Sequence, residues 1–372
     1  MNIDDRLKKV IAGFEFAGEL TGCEEIKVGH VNRTYRVDFR QADGSTRQYV
    51  LQIINTFAFK KPDELMENVQ WVTQYLRETM LARGEDPENR VLRVVPVRGG
   101  GIMLLDEEGG CWRAYDFIRH ATTVDRVDSP AVFYEIGRAF GEFQNMLADF
   151  PIERLHDTIP NFHDTPKRIR DFEASVARDT AHRAASVAEE IAFARARKDA
   201  MGRIIQMIRA GEIPLRVTHN DTKVNNVMLD VDTGKALCVI DLDTVMAGSA
   251  LYDFGDAVRV GASTAAEDEA DLSKISLDID LFRGFAEGFI SQTAHGLTEN
   301  ELVNLPLGAL VMTYENGIRF LADYLDGDVY YRIGYPEHNL VRARAQFRLL
   351  TDMEARQDEM NRIVRELIDK YR

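Results

Sequence analysis

The 372-residue sequence predicts a bilobal α+β protein, with a small sheet-rich lobe over residues 1–118 and a larger helical lobe over 119–372. Three observations carry this. Short apolar runs separated by Gly-containing turns occupy the first third of the chain and read as antiparallel hairpins. Beyond Arg119, apolar residues recur at helical spacing in long stripes. One hairpin interrupts the helical part, between Val217 and Thr244, and its ends carry His, Asn and Asp.

In chain order, residues 4–16 alternate apolar and charged side chains at helical spacing and predict a short leading helix. Residues 25–28 and 34–39 read as strands joined by Gly29-His-Val-Asn-Arg, and Asp43-Gly44 turns the chain into a third strand, 48–53. A helix over Pro62–Ala82 follows, with Leu65, Val69, Val72 and Leu76 on one face. Strands are expected at 91–97, 102–105 and 112–118, divided by Gly99-Gly-Gly and Asp106-Glu-Glu-Gly-Gly. Ser129-Pro130 starts the next helix, whose apolar residues at 132, 133, 136, 140, 143 and 147 form one stripe. Helices at 168–177, 181–210, 280–294, 299–325 and 339–371 complete the second lobe. No repeat and no low-complexity segment is found.

Composition excludes several classes. A formal charge of −15 argues against a nucleic-acid partner, which needs a basic stripe, yet leaves room for a nucleotide held by a few cations and a metal. Cys23, Cys111 and Cys238 lie far apart without ligand spacing, so reduced cysteines and no zinc are expected. The N-terminus has no apolar signal region, and no run of about 18 apolar residues occurs, so a cytoplasmic protein without a membrane partner is expected.

The segment from Val217 to Thr244 carries the chemistry. If its hairpin turns around Thr233 and Gly234, Asn226 and Asp241 fall opposite each other at the open end, and Asp221 sits in the preceding loop. Asn226 and Asp241 are hard oxygen ligands suited to Mg2+ bridging nucleotide phosphates, and Asp221 is placed to accept a proton from an attacking hydroxyl. Protein kinases divide the work in this way, so a protein-kinase-like bilobal fold binding ATP is expected. In that frame Gly29 lies in the turn over the phosphates, and Tyr115, Phe117 and Ile118 lie where the chain crosses between lobes and pairs with adenine. Gln52 breaks the pattern, because kinases carry a Lys on this strand. Arg33, Lys60 and Lys61 are the candidates to replace it, each otherwise an exposed surface charge, and Glu64 and Glu67 are read as surface acids. Asp243 lies past the strand end and is expected to matter less to the metal than Asp241.

His219-Asn-Asp221, Asn226 and Ile240-Asp241, with GSALYDFGD at 248–256, resemble the aminoglycoside phosphotransferase family of small-molecule kinases. GHVNRTY at 29–35, THNDTKVNN, IDLDT, GASTAAEDEADLSK and RFLADYLDGD are similar to its N-acetylhexosamine 1-kinase branch, and the resemblance covers nearly the whole chain. That resemblance implies ATP-dependent phosphorylation of the anomeric hydroxyl of N-acetylglucosamine or N-acetylgalactosamine. It also implies His219 as an orienting residue, Asp253 as the acid steadying the catalytic loop, and His30, Arg319 and Tyr330 as acceptor contacts. The branch also lacks the strand Lys. Two rivals stand beside it. One is a kinase of the same fold with another acceptor, for which Asp323, Asp326 and Asp328 would line a cationic pocket. The other is a non-catalytic nucleotide-binding scaffold. A monomer or weak homodimer is expected.

Overall fold

The computed structural model describes residues 3–26 and 32–372. Helix α1 (Asp5–Ala12) is capped by Asp4, whose side chain accepts the Leu7 N–H. It ends at Gly13, short of the predicted Phe16, because Phe14 instead bridges to Val97. Strands β1 (Glu19–Ile26), β2 (Arg33–Arg40) and β3 (Thr46–Ile53) form an antiparallel meander. Helix α2 (Pro62–Ala82) has the predicted bounds, fixed by Pro62 in its first turn and an apolar face of Leu65, Met66, Val69, Val72, Leu76 and Met80. Strands β4 (Leu104–Leu105) and β5 (Cys111–Asp116) complete a five-stranded sheet in the order β1-β2-β3-β5-β4. The strand expected at 91–97 is a correction: this segment makes only isolated bridges, Val94 to Tyr115 and Val97 to Phe14. Pro96 lacks a ladder donor, and Gly99, Gly100 and Gly101 all turn at positive φ directly afterwards.

The chain leaves this sheet after Asp116 and enters a second one at β6 (Ala121–Thr122). There follow α3 (Pro130–Met146), α4 (Thr165–Arg178), α5 (Ala188–Met201) and α6 (Arg203–Arg209). The single helix expected over 181–210 is divided: a 3-10 turn at Ala184–Val187 precedes α5, and Gly202 separates α5 from α6. Strand β7 (Arg216–Thr218) leads into the hairpin of β8 (Val227–Asp230) and β9 (Ala236–Val239), and β10 (Met246–Gly248) pairs back onto β7. Helix α7 (Ala250–Gly261) was not expected from the sequence. It is followed by α8 (Ile279–Thr293), α9 (Glu299–Val303), α10 (Leu305–Asp326), α11 (His338–Ala355) and α12 (Gln357–Tyr371). The helix predicted over 299–325 breaks at Asn304, just before Pro306 in the first turn of α10. The one predicted over 339–371 breaks at Arg356, where the sequence carries no breaker.

Two packing features place the site. Helices α7 and α10 touch backbone to backbone: a Cβ on Gly255 would lie 2.2 Å from the Gly308 carbonyl oxygen, and one on Gly308 would lie 2.1 Å from that of Leu251. Only glycine permits that approach, which sets Asp253 beneath the loop after β7. The second feature is a core shared by both lobes, in which Leu65, Val69 and Val72 of α2 join Phe143, Val217, Leu242 and Val245. Asn68 stitches it, donating to the Val245 and His156 carbonyls at 3.0 and 2.9 Å. Among the described residues, no helix is long and apolar enough to cross a membrane.

Candidate active site

The hairpin forms where the sequence predicts it. The pairing differs from that expectation by one residue: Val227 opposes Val239 and the Ile240 N–H donates to the Asn226 carbonyl at 2.9 Å, so Asn226 faces Ile240 and Asp241 follows directly at the open end, with a register shift between Met228 and Leu229. The far end closes on Gly234 at φ 68°, while Asp230 accepts from Thr233 N–H and Oγ1 at 2.8 Å each.

Asp221 is held on both sides. Asn226 Nδ2 donates to its carbonyl at 2.8 Å, which leaves Asn226 Oδ1 without a hydrogen bond from any described residue. Lys223 Nζ lies 2.9 Å from Asp221 Oδ2. Proximity to Asp221 raises the Lys223 pKa despite the opposing cost of burial. Lys223 is a residue beside Asp221 that the sequence reading missed; its place two residues after Asp221 was the available signal.

His219 is fully buried and ties the catalytic loop to the metal-site strand. Its Nε2 contacts the Ile240 carbonyl at 2.9 Å, and its Nδ1 accepts the Asp221 N–H at 3.3 Å. Those partners put the ring proton on Nε2 and leave neither ring nitrogen free. Asp253 accepts from the His219 and Asn220 N–H groups at 2.9 and 2.8 Å and from Gln144 at 2.7 Å. Burial raises its pKa, against the opposing effects of His219 and these hydrogen bonds. Asp256 continues the support by accepting the Thr222 N–H at 3.1 Å, and it pairs with buried Arg259 at 2.9 Å.

Asp241 is the unusual residue. It sits in the left-handed region at φ 60°, ψ 57°, and its carboxylate accepts no hydrogen bond and forms no ion pair among the described residues. Asn and Asp tolerate that conformation better than other residues with a side chain, and such strain collects at functional sites. With the free Asn226 Oδ1 beside it, the donor set fits a hard divalent cation that takes its other ligands from phosphates and water. Among the described residues no cluster of three or more acidic, His or Cys ligands exists, so no self-sufficient metal cage competes with this arrangement.

Burial, helped by nearby Asp243 and Asp221, pushes the Asp241 carboxyl up to about 6, against Lys223 and Arg113. A carboxyl raised on folding binds its proton where the unfolded chain has lost it. Metal-free stability therefore falls as pH rises from the ordinary carboxylate range to about 6. A metal ion bound there would have to displace that proton at low pH. Affinity for Mg2+–ATP is expected to be flat above neutrality and to fall by up to about tenfold per pH unit below about 6. Calorimetric titration across that range checks it, and constant affinity down to about pH 5 contradicts it.

Asp243 points the other way. It forms a buried ion pair with Arg113 of β5 and accepts Asn32 Nδ2 at 2.7 Å. Arg113 is the second residue the sequence reading missed. The signal was a lone cation in an otherwise apolar strand, CWRAYD. The three candidate replacements for a strand Lys lie at the surface: Arg33 pairs with Glu25, Lys61 with Glu64, and Lys60 sits over the Phe57 ring. Glu67 pairs with His156.

At the crossing, the Phe117 N–H is taken by the Gln48 carbonyl at 3.3 Å. Ile118 is buried, and its N–H makes no hydrogen bond among the described residues. Tyr115 is buried beneath the Arg113 guanidinium, 5.3 Å from ring centre to charge. Gly29 and His30 lie outside the described residues.

Beyond the catalytic loop, Phe162 and His163 stack at 4.3 Å, and His163 reaches the Asn220 carbonyl at 3.3 Å and Glu315 at 2.8 Å. Arg319 lies one turn further along α10, over the rings of Phe162 and Tyr331 at 5.8 and 5.7 Å. It forms no ion pair among the described residues. Tyr330 is 66% exposed and edge-on to Tyr331, whereas the Tyr331 hydroxyl is buried and has no hydrogen-bond partner there. The acids expected to serve a cationic ligand are engaged. Asp323 accepts the Val329, Tyr330 and Tyr331 N–H groups and Asn339, all between 2.8 and 2.9 Å. Asp326 is held by Arg178 and Ser175, and Asp328 by Arg183 and Asn339.

A small antiparallel sheet crossing at one strand into a helical lobe, with Asp221, Asn226 and Asp241 around one hairpin, defines a kinase-like phosphotransferase fold. Residues 22–283 match the model of the phosphotransferase enzyme family, and the chain belongs to that family. Solved structures agree on the fold. An amicoumacin kinase in complex with AMP-PNP, Ca2+ and Ami is 15% identical, with a TM-score of 0.56 over 99% of this chain and 94% of that one. An aminoglycoside phosphotransferase from Alicyclobacillus acidocaldarius gives 12% and 0.58 over 100% and 98%. A Plasmodium vivax ethanolamine kinase gives 12% and 0.52 over 87% and 82%.

Proposed function

We propose that this protein transfers the γ-phosphoryl group of ATP, with Mg2+, to the anomeric hydroxyl of N-acetylglucosamine or N-acetylgalactosamine, giving the sugar 1-phosphate. The observation that carries the choice of a neutral acceptor is the state of the charges beyond Asp221. The guanidinium of Arg319 has no carboxylate partner among the described residues, while Asp323, Asp326 and Asp328 are consumed by internal bonds. A cationic acceptor such as an amino alcohol or aminoglycoside would find no free acid in that group, whereas sugar hydroxyls and an acetamido carbonyl suit a free guanidinium. The anomeric position rests on the resemblance of GHVNRTY, GASTAAEDEADLSK and RFLADYLDGD to the N-acetylhexosamine 1-kinases.

In this reading Asp221 orients the acceptor hydroxyl and takes its proton as oxygen attacks the γ-phosphorus and the bond to the β-phosphate oxygen breaks, releasing ADP. Asn226 and Asp241 would hold Mg2+, which would supply positive charge against that developing on the transferred group. His219 and Asp253 hold the loop that presents Asp221. With the lobe boundary at 118/119, this reading has ATP between the lobes and the acceptor against the second.

Arg319→Ala is expected to raise the sugar KM or lower kcat/KM by about tenfold or more, sparing the KM for ATP, because a site built to hydrogen-bond an acceptor is left unpaired without it. Tyr330→Phe and Tyr331→Phe tell the exposed hydroxyl from the buried one. A coupled ADP-release assay over free sugars, choline, ethanolamine and kanamycin tests the acceptor class; activity confined to the amines rejects the neutral-acceptor reading.

A further inference from the structure

Thr34, Gln52 and Arg113 are direct cross-strand neighbours on β2, β3 and β5, so their side chains share one face of the sheet. They are bonded in a row. Gln52 Nε2 donates to Thr34 Oγ1 at 3.0 Å, Arg113 Nε donates to Gln52 Oε1 at 3.0 Å, and Arg113 Nη1 donates to Asp243 Oδ1. The row then returns to the sheet. Asp243 Oδ2 accepts from Asn32 at 2.7 Å, and Asn32 Oδ1 accepts the Asn55 N–H at 2.9 Å. The Arg113 and Asp243 side chains are 2% and 4% exposed.

Such a sealed ion pair is poor value as a stabiliser, since well-packed apolar residues of similar volume serve as well or better. What it supplies is geometry. Asp243 lies two residues beyond Asp241, whose left-handed backbone is thereby held between the His219–Ile240 bond on one side and the Arg113–Asp243 pair on the other. We propose that Arg113 supplies, from β5, the fixed positive charge that β3 lacks at Gln52, and that it acts on the nucleotide site as a positioning residue, through Asp243. This rests on the phosphotransfer reading above. Arg113 is closed off from solvent and touches Asp243, Gln52 and Met66, so it sets where Asp241 meets the metal without itself meeting the phosphates.

The test compares wild type with Arg113→Met/Asp243→Leu, which removes both buried charges, and with Gln52→Lys/Arg113→Gln, which moves the cation onto β3. Urea midpoints, KM and kcat for Mg2+–ATP, and KM for the acceptor are measured on each. The apolar pair is expected to unfold near the wild-type midpoint yet lose about tenfold or more in kcat/KM for Mg2+–ATP, with the acceptor KM unchanged. The relocated cation is expected to recover at least about tenfold over Arg113→Gln alone. Wild-type nucleotide kinetics in the folded apolar pair, or no recovery in a folded relocation variant, overturns the inference. A wild-type protein that releases no ADP with any acceptor rejects the phosphotransfer reading itself, a different result.

Discussion

Asp221→Asn is expected to lower turnover by about 10²–10⁴, the usual consequence of removing a general base, while Mg2+–ATP affinity changes little. The structure explains why the two should separate. Asn226 is fixed through the backbone carbonyl of Asp221 at 2.8 Å, not through its side chain, so an amide at 221 leaves that ligand in place. Asp241 is positioned from His219, Ile240 and Asp243, none of which contacts the Asp221 carboxylate. The substitution does release Lys223, whose ammonium would then stand free beside the phosphates and would not weaken nucleotide binding. Single-turnover rates with calorimetric Mg2+–ATP titration check both halves. Near-normal turnover would move the proton acceptor elsewhere.

Asp241→Ala should abolish metal-dependent nucleotide binding, because it removes a carboxylate that accepts no hydrogen bond and forms no ion pair among the described residues. Asp243→Ala is the informative contrast. Removing Asp243 strands the Arg113 charge in a buried place, which typically costs about 3–5 kcal/mol of stability. The two variants should therefore fail differently. Asp241→Ala stays folded and is blind to Mg2+; Asp243→Ala loses much of its urea resistance, and its folded fraction still responds to Mg2+. A metal loss at Asp243 equal to that at Asp241, with no loss of stability, would reverse the assignment of ligand and clamp.

The hairpin that carries Asn226 and Asp241, and the loop that carries Asp221, were legible because they are local, although the pairing fell one residue from the expected register. Helix α2 was legible for the same reason, since Pro62 and the apolar stripe act within a few turns. Arg113 was not, because its partner Gln52 is 61 residues away across a helix and Asp243 is 130 away, and no local period connects them. The same holds for His163 and Glu315, 152 residues apart. Asp323, Asp326 and Asp328 show the same limit from the other side. Their density left a cationic pocket open, but an acid in the last turn of a helix can be spent on the backbone N–H groups that follow it, as Asp323 is on three. Helix α7 escaped because its polar residues Asp253, Asp256 and Arg259 are buried along with its apolar ones, so polarity does not mark an outward face.

The central claim is transfer to an anomeric oxygen of a neutral N-acetylhexosamine, and phosphorus NMR of the product tests it most directly. A phosphate on the anomeric carbon is an acetal phosphate, readily hydrolysed by acid, unlike an ester of a primary hydroxyl. N-acetylglucosamine and N-acetylgalactosamine are each predicted to give an acid-labile 1-phosphate whose signal couples to the anomeric proton, and their methyl glycosides, lacking that hydroxyl, are predicted to give none. Phosphorylation of a methyl glycoside at a rate like that of the free sugar would contradict the account.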